Sequence, residues 1–146
     1  MLDLAQCEID VVNRLRSNVV VGGAAFTVNS ADGLAEAMKQ VAQQLALFVI
    51  YDGSKIRPER IGYGSTQVLR DPFAMTIAAV GQSYASTAAG RSPALALLQA
   101  ASAVMRVWQP SWAQFIWQPK RDYFVARAGA RLCYAAQFTT TVYETV

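Results

Sequence analysis

Between Phe73 and Val80 the chain is apolar on both of its sides. Phe73, Met75, Ile77 and Ala79 alternate with Ala74, Thr76, Ala78 and Val80. Successive side chains of a strand point to opposite faces of a sheet. Strand character runs from Val68 to Val80, and such a strand needs cover on both faces. This segment therefore predicts a central strand with packed material above and below it.

The remaining elements arrange themselves around that strand. Asp3 followed by Gln6 is a capping-box start for a helix running to about Arg16. Leu4, Val11 and Leu15 share one helical face, with Cys7 and Val12 beside it. Val19–Val21 is short and β-branched, a strand that breaks at Gly22-Gly23. Ser30 can cap a second helix from Ala31 to Leu45, with Leu34, Met38, Val41, Ala42 and Leu45 inward. Phe48–Tyr51 reads as a buried strand ending at Asp52-Gly53, and Ser54–Gly64 as a charged loop around Pro58. Gly81–Arg91 is a small-residue loop. Ser92-Pro93 then opens a helix that buries Ala94, Leu97, Leu98, Ala101, Met105 and Trp108.

The C-terminal third is rich in strands. Phe115–Trp117 and Tyr123–Arg127 are short ones, and Gly129 turns into a long strand from Ala130 to Tyr143. Leu132, Tyr134, Ala136, Phe138, Thr140 and Val142 lie on one of its faces; Arg131, Cys133, Gln137, Thr139 and Thr141 lie on the other. The order α-β-α-β-β-α-β-β-β predicts a mixed α/β (α+β) domain with a mainly antiparallel sheet flanked by helices. At 146 residues it is one domain over 1–146.

Composition adds a constraint on what lies outside the core. Hydrophobic residues make up 53% and charged residues 16%, against about 25% charged in a usual soluble domain. The surplus apolar surface needs a membrane or a protein partner. The apolar runs Val19–Phe26 and Leu45–Tyr51 fall well short of the ~20 residues that cross a bilayer. Gln99, Ser102 and Arg106 interrupt Ala94–Trp108, and Asp3 and Glu8 are unlike a signal peptide. A cytosolic protein that associates with itself and other proteins is the expectation, with no membrane.

The chain is short of the usual chemistry. It has no histidine, which removes the group that titrates nearest neutral pH and the commonest zinc ligand. The ten carboxylates form no D-x-D or E-x-x-E pair, and the glycines form no dinucleotide or Walker loop. Cys7 and Cys133 read as small buried hydrophobes rather than a disulfide or ligands. Neither a catalytic residue nor a metal or cofactor site is expected, and the chain reads as a non-enzyme.

Nine of the fifteen aromatic residues follow position 107, together with Lys120, Arg121, Arg127 and Arg131 against Asp122 and Glu144. Basic and aromatic interleaving can stack on nucleic acid. Strand spacing instead assigns Phe115, Trp117, Phe124, Tyr134 and Phe138 to the core. The charged loop, with Lys55, Arg57 and Arg60, is a solvated loop or a docking arm. The net charge of +3 permits contact with nucleic acid without indicating it.

The whole-chain pattern resembles a known family. Its elements are a helix near the N-terminus, a second helix, the strand Leu47-Phe48-Val49-Ile50-Tyr51-Asp52-Gly53, a charged loop and the strand Phe73–Val80. A Gly90-containing loop, the helix Pro93-Ala94-Leu95-Ala96-Leu97-Leu98, then Trp108-Gln109-Pro110 and a β-rich end with Phe138-Thr139 complete it. In this it is similar to the Mu-like prophage small tail proteins, and more broadly to the tail terminator (tail-completion) proteins of long-tailed bacteriophages. It departs from them at Gln109-Pro110, where a glycine is more usual.

The resemblance implies a ring, usually a hexamer, at the head-proximal end of the tail tube, assembled in the host bacterial cytoplasm and located in the neck region of the virion. Its implied partners are copies of itself, the tail tube protein, a head-completion or neck protein, and double-stranded DNA passing without sequence specificity. Lys55, Arg57 and Arg60 are then candidates for docking, and Lys120, Arg121, Arg127 and Arg131 for the DNA lumen. A head–tail connector subunit and a non-specific nucleic-acid-binding module are the rival readings.

Overall fold

Asp3 opens the first helix as its spacing predicts. Its carboxylate accepts the Ala5 and Gln6 amides at 3.0 and 3.2 Å, satisfying two donors that the helix itself leaves free. Gln6 does not complete a capping box: its side chain donates instead to Asp10 Oδ1 at 2.9 Å. The computed structural model describes residues 2–21, 25–40, 45–61, 65–82, 87–128 and 131–145. Helix α1 spans Leu4–Asn18 and buries Cys7, Val11, Val12 and Leu15.

The other elements, in chain order, are β1 (Thr27–Ser30), α2 (Leu34–Gln40), β2 (Leu45–Ile61), β3 (Ser65–Gln82), α3 (Thr87–Arg106), β4 (Gln118–Ala128) and β5 (Arg131–Thr145). The strands form one sheet in the order β1-β2-β3-β5-β4. β1 runs parallel to β2, and every other pairing is antiparallel. The fold is thus the mixed α+β arrangement expected, with β3 at the centre.

Cover on both faces of β3 takes two different forms. On one face Leu47, Val49, Phe73, Met75, Ile77, Ala79, Leu132, Tyr134, Ala136 and Phe138 pack beneath α1 and α3. On the other, Ala46, Phe48, Ile50, Ala78, Val80, Cys133 and Ala135 form a smaller cluster with the short α2. Each large apolar side chain so buried contributes about 1.5–3 kcal/mol. Truncating Phe73, fully buried at the sheet centre, would cost about 3–5 kcal/mol. The alternation expected along β5 holds residue by residue, with Cys133 in the smaller cluster and Leu132, Tyr134, Ala136 and Phe138 in the larger.

Several elements differ from their sequence reading. Val19 is the extended cap of α1, its amide bonded to the Leu15 carbonyl, and the first strand is Thr27–Ser30. Helix α2 starts three residues later than Ala31, because Ala31 donates its amide to Val49 of β2 and Ser30 belongs to β1. Leu45 begins β2 instead of ending a helix. Strand β2 does not stop at Asp52-Gly53 but bulges there, with Gly53 at φ +109, a backbone region that favours glycine. The segment Ser54–Ile61 continues as strand and is not a loop.

Helix α3 begins at Thr87 and carries Pro93 inside it. Phe115–Trp117 is irregular rather than a strand, held by a bond from the Gln114 amide to the Thr141 carbonyl at 2.8 Å and one from the Thr140 hydroxyl to the Phe115 carbonyl, also 2.8 Å. The turns expected at Gly22-Gly23 and Gly129, and the end of the charged loop at Gly62–Gly64, lie outside the described residues.

Candidate functional site

Two surfaces hold the residues singled out from the sequence. The first is an arm made from the far ends of β2 and β3. Ile56–Ile61 pairs antiparallel with Ser65–Arg70. β1 covers only Ala46–Val49 of β2, so among the described residues the arm's outer edge has no strand beside it. Pro58 suits that position, since proline is tolerated where no ladder donor is needed. Charged residues on an open edge also oppose unwanted strand pairing. Lys55 and Arg57 are exposed, and Arg60 pairs by its backbone with Thr66; the Arg60 side chain lies outside the described part.

The base of the arm is tied to three elements. Arg70 forms an ion pair with Glu144 of β5 at 3.3 Å and donates to Ser54 Oγ of β2 at 3.0 Å. Ser54 Oγ in turn lies 2.6 Å from the Tyr51 hydroxyl. The other Glu144 oxygen accepts the Leu2 amide at 2.9 Å. The Leu2 amide first, and the Arg70 guanidinium after it, hold the Glu144 carboxyl below its ordinary value. These contacts fix the direction of the arm at its root.

The second surface is the half of the sheet face that α2 leaves uncovered. It is polar: the Asp52 carboxylate accepts Gln137 Nε2 at 3.1 Å and also the Thr76 hydroxyl. Arg121 is opposite Gln137 in the register and lies over the Tyr123 ring at 4.3 Å. Arg57 is opposite Leu69, and Leu69 opposite Tyr143, which puts Arg57 on this face too. Arg131 is on the same side of the sheet but at the end that α2 covers, half-buried and bonded to the Met38 carbonyl of α2.

Not every candidate joins them. Arg127 is opposite Leu132, so it belongs to the face covered by α1 and α3. Lys120 lies at a β-bulge within β4, between Pro119 and Arg121. From Arg131 to Tyr143 the strand extends roughly 40 Å at ~3.3 Å per residue. The cations on the α2 side of the sheet are therefore spread along it rather than gathered at one point.

The core assignment of the late aromatic residues divides in the same way. Trp117, Tyr134 and Phe138 are buried, whereas Phe115 and Phe124 are 58% and 53% exposed. Phe115 lies in the irregular connection and Phe124 on the edge strand β4, which has no strand on its outer side among the described residues. Ile56, Leu95, Val107, Ile116 and Tyr143 are further exposed large apolar side chains among the described residues.

Among the described residues no group of three or more His, Cys, Asp or Glu side chains is placed to hold a metal. No helix there is long and apolar enough to cross a membrane. Burial, with Asp10 and Asp3 nearby, pushes the Cys7 thiol up to about 12, and burial alone pushes Cys133 up to about 11. Neither supplies a thiolate near neutral pH. They belong to clusters on opposite faces of the sheet, which places a disulfide between them out of reach.

With this geometry in view, no family model matches the sequence, and no curated protein matches it. Among solved structures the chain is similar to one in the "Virion of native gene transfer agent (GTA) particle", with a TM-score of 0.55 over 92% of both chains. The sequence identity is 15%. The likeness is one of fold.

The arm root was invisible in the sequence, because Ser54, Arg70 and Glu144 are brought together only by the pairing of three strands. Glu144 and Arg70 are 74 residues apart, and no local pattern announces such a contact.

Proposed function

We infer that the chain is a structural, non-catalytic subunit of a phage-like virion, and specifically a tail terminator that closes the head-proximal end of the tail tube as a ring of six. The observation that carries this reading is the full-length likeness of fold to a chain of the gene transfer agent virion. The resemblance of the sequence to tail-completion proteins supports it independently. A ring needs two different patches on each subunit, because cyclic contacts are heterologous. Exposed Leu95 and Phe124, on α3 and β4, and exposed Phe115-Ile116, in the connection, offer apolar surface on separate elements.

In this reading the arm with Lys55, Arg57 and Arg60 docks on the tube or the adjoining subunit, and the other rim meets the head-completion protein. This side of the sheet, with Arg121 and Asp52 on its open half and Arg131 at the end that α2 covers, suits a lumen through which duplex DNA slides. Clustered cations would grip DNA through counterion release; spread ones, with a carboxylate between, oppose that grip. Glutamine at Arg121 and Arg131 should therefore alter DNA retention more than tail length, while the same change at Arg127 should alter neither.

A nucleic-acid-binding module is less well supported. Tyr134 and Phe138 face the helices, and Arg121 covers Tyr123, so the stacking platform such a module needs is not formed by them. The test is to add the protein to polymerising tail tube protein and follow tube length by electron microscopy. Tubes should stop lengthening and carry a ring at one end. Unchanged growth with bare ends would overturn the terminator reading, and attachment to heads instead would favour a connector.

A further inference from the structure

Among the described residues Arg14 carries a buried cationic donor with no hydrogen-bond partner. Arg14, on α1, lies over the Trp108 ring at 5.5 Å. Its Nε is buried and makes no hydrogen bond, and no ion pair or side-chain hydrogen bond of Arg14 occurs among the described residues. The nearest acid along the helix, Asp10, is engaged elsewhere: one oxygen accepts Gln6 Nε2 and the other Trp112 Nε1, both at 2.9 Å. An unpaired guanidinium donor withdrawn from water is costly, and a bound anion would remove that cost.

The guanidinium faces a pocket of about 510 Å³ between α1 and the connection that follows α3. Trp108 and Trp112 wall it, and Asn13, Ser17 and Ser111 stand at its rim. These amide and hydroxyl groups can donate to an oxygen that Arg14 does not reach. Trp112 is held by Asp10 and by its ring contact with Phe73 at 5.4 Å. We propose that this Arg14–Trp108 pocket is a docking socket for a carboxylate side chain on an acidic segment of a different protein.

Charge decides between the possible occupants. The pocket has a single cation, Arg14, and its own carboxylate, Asp10, already accepts from Gln6 and Trp112, so the guanidinium is left to meet one incoming carboxylate. A nucleic-acid backbone, with a charge at every phosphate, would meet one cation and one like charge. A second copy of this chain carries a net +3, which disfavours it relative to an acidic partner. The socket is independent of the tail reading, since any acidic partner protein satisfies it.

The experiment titrates the ¹⁵N-labelled protein with capped tetraglutamate, capped tetraglutamine and a short DNA duplex, following the Trp108 and Trp112 indole signals and Arg14 Nε–H. Tetraglutamate should shift all three, tetraglutamine should not, and Arg14→Gln should weaken the binding about tenfold or more. Trp117 reports whether the variant keeps its fold, and the wild-type titration stands without it. No shift at about 10 mM peptide, or an equal shift in Arg14→Gln, overturns the proposal. So does tighter binding of the duplex at these signals, or their movement on concentrating the protein alone, which would assign the socket to nucleic acid or to a second copy.

Discussion

Glu144 shows how much one side chain can govern here. It joins the N-terminal backbone, β3 and β5 through Leu2 and Arg70; the ion pair requires the carboxylate, and the Leu2 bond is strengthened by it. Its folded pKa is lowered, so its contribution is complete above the unfolded pKa and vanishes as the pH falls through the folded one. Glu144→Gln should lose about 1–3 kcal/mol at neutral pH, and the gap from wild type should close on acidification below the ordinary glutamate range. Denaturant unfolding at a series of pH values measures this. Trp117 poses a different case: it is buried with an indole N–H that lacks a partner among the described residues. Trp117→Ala should cost about 3–5 kcal/mol. Trp117→Phe should cost far less, because it removes the orphaned donor with most of the ring volume kept. Thermal unfolding of the two variants side by side separates volume from polarity.

At the scale of elements, the arm is where sequence and structure diverge most. Pro58 and the charges at Lys55, Arg57, Glu59 and Arg60 carry every local sign of a loop, yet the backbone is a strand paired up to Ile61↔Ser65. Those signs describe the neighbours a segment lacks, and an edge strand lacks them on one side just as a loop does. The helices and strands with a buried face, by contrast, were legible: α1, β3 and β5 follow their apolar periodicity almost to the residue. Phe115 and Phe124 were misassigned for a related reason. Period-two spacing gives the alternation of faces but not whether a face is covered. Charge reversal at Lys55 and Arg57, both exposed, should leave the melting temperature within about a degree or two and impair tail completion. Normal completion by the double variant would reduce the arm to a solvated edge.

At the scale of the whole molecule, the candidate site was only partly legible. Composition indicated surplus apolar surface, and the structure distributes part of it over Ile56, Leu95, Phe115, Ile116 and Phe124. It could not indicate that the sheet's second face is half-covered, because that depends on α2 being seven residues long and on where the chain crosses. The basic residues stand out in the sequence, but only the register separates Arg121 and Arg131 from Arg127. Identical subunits closed into a ring with an open, weakly basic lumen would show themselves in solution mass. The decisive measurement is light scattering on the purified protein at high concentration, with and without duplex DNA at moderate salt. A ring gives about six chain masses, unchanged by DNA. A monomer that gains mass on DNA and keeps it as salt rises would contradict the ring.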